Sequence, residues 1–145
     1  MKKLKETDIS THILECLDGL RIGVFWRNNN VGVFDSKKMC YRKPPAFSRK
    51  GIADILVCIK GVFVSIEVKS AIEYKWAMAF YKRVGDPYTY VPQSEKEKHV
   101  LNQIIFMLDI INHGGVAFFT YSVGDALNKL GVINNYQPTK QEKLL

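Results

Sequence analysis

The stretch GIADILVCIKGVFVSIEVKS, residues 51 to 70, constrains this chain more than any other. Two apolar, β-branched runs flank the pair Lys60-Gly61, the pattern of a tight β-hairpin. With Lys60 and Gly61 as the central turn residues, Ile59 faces Val62, and glycine supplies the positive φ that such turns need. Counting outward, Asp54 faces Glu67. Their side chains then share one face with Cβ atoms ~5 Å apart. Lys69, two residues beyond Glu67, lies on that same face. A four-residue loop keeps this pairing, whereas a three-residue loop shifts it by one. Two acids opposed on a strand pair repel each other. A divalent cation turns that repulsion into chelation, since hard oxygen ligands are what Mg²⁺ binds. Neutralisation by Lys69 and a nearby arginine is the bland alternative.

The 145 residues are enough for one domain with a real core, read as 1–133 with a polar tail over 134–145. No apolar run reaches the ~20 residues of a membrane span. The opening MKKLKETDIS lacks the apolar segment of a secretory signal. Cys16, Cys40 and Cys58 are scattered without metal-ligand spacing and read as reduced thiols of a cytoplasmic protein. A net charge of +7 points toward a polyanion such as nucleic acid, although weakly by itself.

Residues 6–20 carry Ile9, Ile13, Leu17 and Leu20 at helical spacing, with Gly19 and Gly23 marking the end. At ~100° per residue, Glu6 falls inside this apolar stripe and Glu15 on the opposite side. An acid turned toward the core side must find a cation or a donor; a first-turn glutamate answering the helix dipole is the simpler reading. RIGVFWRN reads as a strand, VGVFD as a possible second, and SKKMCYRKPPAFSRK as a basic loop. After the hairpin, residues 71–92 are aromatic and basic with no clean period. A capping-box pattern, Ser94 to Glu97, opens a helix that runs to Gly114-Gly115. On it, Gln103 shares a face with Val100, Ile104, Met107 and Ile111, and a glutamine in an apolar stripe needs a partner. VAFFTYS is a last strand and VGDALNKL a short helix. This order gives an α/β protein with a mixed central sheet flanked by helices on both sides.

An acid on a first helix (Glu6), Asp54 within GIAD, Glu67-Val68-Lys69 within IEVKS and Gln103 on a later helix form an ordered set. The set resembles the PD-(D/E)XK nuclease superfamily, more closely its VRR-NUC branch and the archaeal Holliday-junction resolvases. The helix from Gln103 to HGG, then a strand and SVGDAL, has the cadence of that branch. The likeness spans about Glu6 to Ala126, apart from residues 71–93, which read as a family-divergent insertion. Ala53 stands where the superfamily name has proline, a position without chemistry.

The resemblance implies a restriction-endonuclease-like core and Mg²⁺-dependent hydrolysis of DNA phosphodiesters, with Mn²⁺ able to substitute. Asp54, Glu67, Lys69 and Gln103 would be catalytic, and Glu6, Asp54, Glu67 and the Val68 carbonyl would hold the metal. Lys69 would orient the attacking water and counter phosphorane charge, and Gln103 would fix the lysine or the water. The basic loops would bind the DNA backbone through Arg27, Asn29, Arg42, Lys43, Arg49 and Lys50. Trp76, Phe80, Tyr81, Tyr88 and Tyr90 are open to base stacking, a dimer interface or core packing. The chain's small size favours reading DNA shape, such as a junction or flap, and two cuts in a symmetric junction call for a homodimer. A phage or bacterial recombination enzyme acting in the cytoplasm fits. A nuclease fold that binds nucleic acid without cutting, and a restriction-type endonuclease, are the alternatives. His12, His99 and His113 share no ligand spacing and are expected to be structural.

Overall fold

The structure, a computed structural model, describes residues 4–29 and 32–135, with side chains to residue 131. Helix α1 spans Glu6–Leu20. Ile9, Ile13 and Leu17 are buried along it as the spacing predicts, and Glu15 faces outward. Leu20 does not belong to the stripe and is 61% exposed. The helix ends neither at Gly19 nor at Gly23 but at Arg21, whose left-handed φ of 53° lets the Ile22 amide reach back to the Leu17 carbonyl. The chain then turns out of the helix before Leu20 can be covered.

Strand β1 is Val24–Arg27, and a small separate ribbon pairs β2 (Phe34–Asp35) with β3 (Cys40–Tyr41). β4 (Ile55–Ile59) and β5 (Val62–Val68) form the hairpin in the expected register, with Ile59 opposite Val62 and Ile55 opposite Ile66. Both turn residues take positive φ, Lys60 at 48° and Gly61 at 80°, as a type I′ turn requires.

The aperiodic stretch after the hairpin contains a helix that the sequence pattern did not reveal: α2, Ala71–Val84, capped by the Ser70 hydroxyl. Its buried face is only Ala77, Phe80 and Val84, and aromatic and basic residues crowd the remaining faces. No apolar stripe therefore stands out. Trp76 stacks on Phe80 at 5.2 Å and Tyr90 meets Phe80 edge-on at 5.6 Å. These rings pack against α3, so core packing takes three of the five aromatics left open by the sequence.

α3 spans Glu95–Asn112, with the Ser94 hydroxyl accepting from the Glu97 amide at 3.1 Å. The Glu97 carboxylate completes the motif one residue earlier than a regular capping box, accepting from the Gln93 amide at 2.7 Å. β6 (Val116–Thr120) lies parallel to β5, and the four-stranded sheet runs β1-β4-β5-β6. α4 (Val123–Asn135) is longer than the eight residues read from VGDALNKL and takes in the first two of the expected polar tail. The remainder of that tail lies outside the described residues, as do Asn30 and Val31.

The sheet is thus mixed and flanked by helices. α1 and α4 cover one face over Ile55, Val57, Ile59, Val64, Ile66 and Val68. α2 and α3 lie on the other side of the molecule, around Phe80, Val100, Ile104 and Phe119. Successive strand residues alternate faces. Because Ile66 and Val68 point to α1 and α4, Glu67 between them is turned toward α3. Gly51, at φ +75°, lets the chain entering β4 pass directly over α3; a Cβ there would lie 2.3 Å from the Asn102 carbonyl. Among the described residues, no helix is long and apolar enough to cross a membrane.

Candidate active site

Glu67 is 4% exposed in the middle of this packing, so its carboxyl must find partners inside the protein. Its Oε1 accepts from Lys69 Nζ at 3.1 Å and from the Gln103 amide of α3. Lys69 and Gln103 are themselves buried. Asp54, one residue ahead of β4, accepts from the Val68 amide at 2.8 Å, which holds its carboxylate across the hairpin from Glu67. The hairpin register and the strand alternation thereby place Asp54, Glu67 and Lys69 on one face, as the sequence predicted, and α3 brings Gln103 to them. One detail differs: the Gln103 amide is bonded to Glu67 rather than to Lys69.

The electrostatics follow from the burial. Glu67 is pushed up to about 8, chiefly by loss of solvation and next by the charge of Asp54, against the pull of Lys69. Asp54 is raised as well by burial, opposed by the Val68 amide and by Lys69. The charge of Asp54 holds back the ionisation of Glu67, a hydrogen bond from Glu67 favours that of Asp54, and Lys69 offsets only part of the cost of burial.

Glu6 sits at the rim. It is exposed on the first turn of α1 rather than turned into the apolar stripe as its helical angle suggested, because the helix starts there and the stripe is covered only from Ile9 on, and its Oε1 accepts from the Ser70 amide at 2.8 Å. Among the described residues no group of three His, Cys, Asp or Glu is gathered to hold a metal ion. The Asp54 and Glu67 carboxylates, facing each other across the hairpin, are the donors here whose chemistry suits a hard cation. Mg²⁺ is commonly held by one or two carboxylates while keeping several waters. The raised acids and the buried, unpartnered Gln103 Oε1 are the structural signs of that fit.

A polar cleft of about 210 Å³ opens beside Asp54, between the start of α1 and the end of β1. Glu6, Ser10, Arg27, Asn28 and Asn29 line it, and Asn28 Nδ2 is buried there without a partner. Arg27 donates to the Thr11 hydroxyl at 2.8 Å. The other basic residues expected on DNA are distributed differently. Arg42 pairs with Asp35 at 3.5 Å in the β2–β3 ribbon. Arg49 is bound to Asp109 and lies 5.2 Å over the Phe106 ring. Lys43 and Lys50 are exposed. A larger cavity of about 340 Å³, between α2, α3 and β6, is lined mainly by apolar groups such as Met78, Ile104 and Phe119 and holds none of these residues.

His99, expected to be merely structural, stands in the site. Its Nε2 lies 3.2 Å from Gln103 Nε2, one helical turn along α3. His99 is exposed overall, but partial desolvation of its ring, then the charge of Lys69, lowers its pKa and favours a neutral ring. The available signal was its spacing four residues before Gln103, which puts both on one helix face. No family model, curated protein or solved structure matches this chain.

Proposed function

We propose that this protein is a divalent-cation-dependent DNA endonuclease built on the PD-(D/E)XK plan, of the VRR-NUC kind. One observation carries the reading: two desolvated carboxyls, Asp54 and Glu67, face each other with a buried lysine and a buried glutamine on the same oxygen of Glu67. A fold selected for stability alone gains little from that arrangement, since unpaired buried charge is costly.

Asp54 and Glu67, with the Val68 carbonyl, would hold Mg²⁺ or Mn²⁺, and Glu6 would assist from the rim. The cation would supply charge neutralisation at the phosphate and acidify a water molecule. Lys69 is anchored on Glu67 at 3.1 Å, so its remaining N–H donors are fixed in direction and can orient the attacking water and balance phosphorane charge. This favours an electrostatic role for Lys69 over that of a general base. Gln103 keeps Glu67 in place and offers its free Oε1 as an acceptor for a water proton. The Arg27–Asn29 cleft beside Asp54 would bind the flanking backbone phosphate, with Asn28 Nδ2 as a further donor.

Branched DNA, a junction or flap, is the substrate class we propose, and a homodimer would cut a symmetric junction twice. The test is a cleavage assay on labelled four-way junction, flap, linear duplex and single strand, with Mg²⁺, Mn²⁺ or chelator, beside Glu67→Ala. Metal-dependent cutting lost in the variant is the expected result. Tight binding without cutting in any metal would refute the enzyme and leave a nucleic-acid-binding protein.

A further inference from the structure

The Gln103 side chain makes two contacts through one atom. Its Nε2 meets Glu67 Oε1 on one side and His99 Nε2 on the other, the latter at 3.2 Å. A primary amide nitrogen carries two donor hydrogens and no usable acceptor. Glu67 takes one of them. The other must be accepted by the ring nitrogen of His99, so the imidazole proton resides on Nδ1. Partial desolvation and the charge of Lys69 favour the same neutral form. The amide oxygen is then directed away from both partners and stays buried and unpartnered.

We propose that His99 is a positioning residue: it fixes the orientation of the Gln103 amide so that Oε1, rather than N–H, is presented to the reacting water. An amide can rotate by half a turn with almost no change in shape, and only its hydrogen-bond partners choose between the two orientations. Glu67 is one such partner, and a neutral His99 with its lone pair on Nε2 is the second, which holds the amide from its other side. This role rests on the nuclease reading for its purpose, but its geometry is independent of any reaction.

Two measurements separate the two. Long-range ¹H–¹⁵N correlation spectra of the whole chain near pH 8 report the tautomer of His99 directly. We expect Nδ1–H, reverting in Gln103→Leu to the mixture of a free imidazole. A predominant Nε2–H tautomer in the wild type overturns the proposal whether or not the protein cuts DNA. In the cleavage assay, His99→Ala should lower kcat about fivefold to tenfold with KM unchanged, the loss of one positioning hydrogen bond. His99→Gln, which returns an acceptor at similar reach, should restore most of it. An undiminished kcat in His99→Ala, or no rescue by glutamine in a folded variant, would also refute the role. A wild type that cuts under no metal refutes the nuclease reading instead, and the tautomer then decides this inference alone.

Discussion

Replacing Glu67 with glutamine tests the electrostatic core of the site without requiring any activity. The Glu67 carboxyl is held near 8 in the folded protein against an ordinary 4.5, mainly because it is buried and next because Asp54 is charged. Between those two values the unfolded chain ionises this group while the folded chain keeps it protonated. Its stabilising contribution is therefore complete below the lower value and disappears as the pH rises through the upper one. At ~1.4 kcal/mol per pH unit the ceiling is ~5 kcal/mol. Relaxation and water entry around the ionised carboxylate reduce this to about 2–4 kcal/mol, or roughly 6–12 °C in Tm for a chain of this size. His99, whose pKa is lowered, works in the opposite direction just below its ordinary 6.5 and offsets a small part. Scanning calorimetry in chelator from about pH 4.5 to 8.5 should show this decline in the wild type. Glu67→Gln has nearly the same shape and cannot ionise, so its decline over the window should be much smaller, leaving mainly the part due to the raised Asp54. Parallel pH profiles for the two proteins would refute the burial argument.

Cation binding gives a second readout: at pH 8, Mg²⁺ or Mn²⁺ at ~100-fold its Kd should restore ~2.7 kcal/mol of stability to the wild type. Asp54→Asn should abolish that gain in the same thermal scan. Gly51→Ala must push the entering chain off α3, where a Cβ would meet the Asn102 carbonyl at 2.3 Å, and the φ of +75° strains it further. We expect at least ~2 kcal/mol of destabilisation by urea unfolding. Ser94→Ala removes the hydroxyl acceptor at the start of α3 and should cost ~1 kcal/mol in the same assay. Arg27→Ala should weaken duplex binding uniformly across sequences and lower the slope of log K against log salt by ~1 in fluorescence titrations. An unchanged slope would remove Arg27 from the DNA face.

The hairpin was legible because its signals are local. Lys60-Gly61 fixes the turn, the turn fixes the register, and the register alone sets Asp54 against Glu67. The same holds for the buried stripe of α1 from Ile9 to Leu17 and for the start of α3 at Ser94. Helix α2 was not legible, because its amphipathic pattern depends on which rings α3 accepts. Phe80 and Trp76 are buried or half-buried while Tyr81, chemically similar, is exposed, and nothing in their own neighbourhood distinguishes them.

The same division runs through the site. Sequence by itself determined which strand face the two acids and Lys69 share, since turn geometry and strand alternation act over a few residues. Only the tertiary structure decided that Gln103 bonds Glu67 rather than Lys69, that His99 joins them, and that Arg42 and Arg49 are engaged by Asp35 and Asp109. Those outcomes depend on where α3 crosses the sheet. That crossing is set by packing between segments distant in the chain, with Gly51 permitting the close approach, and a local pattern carries no record of it.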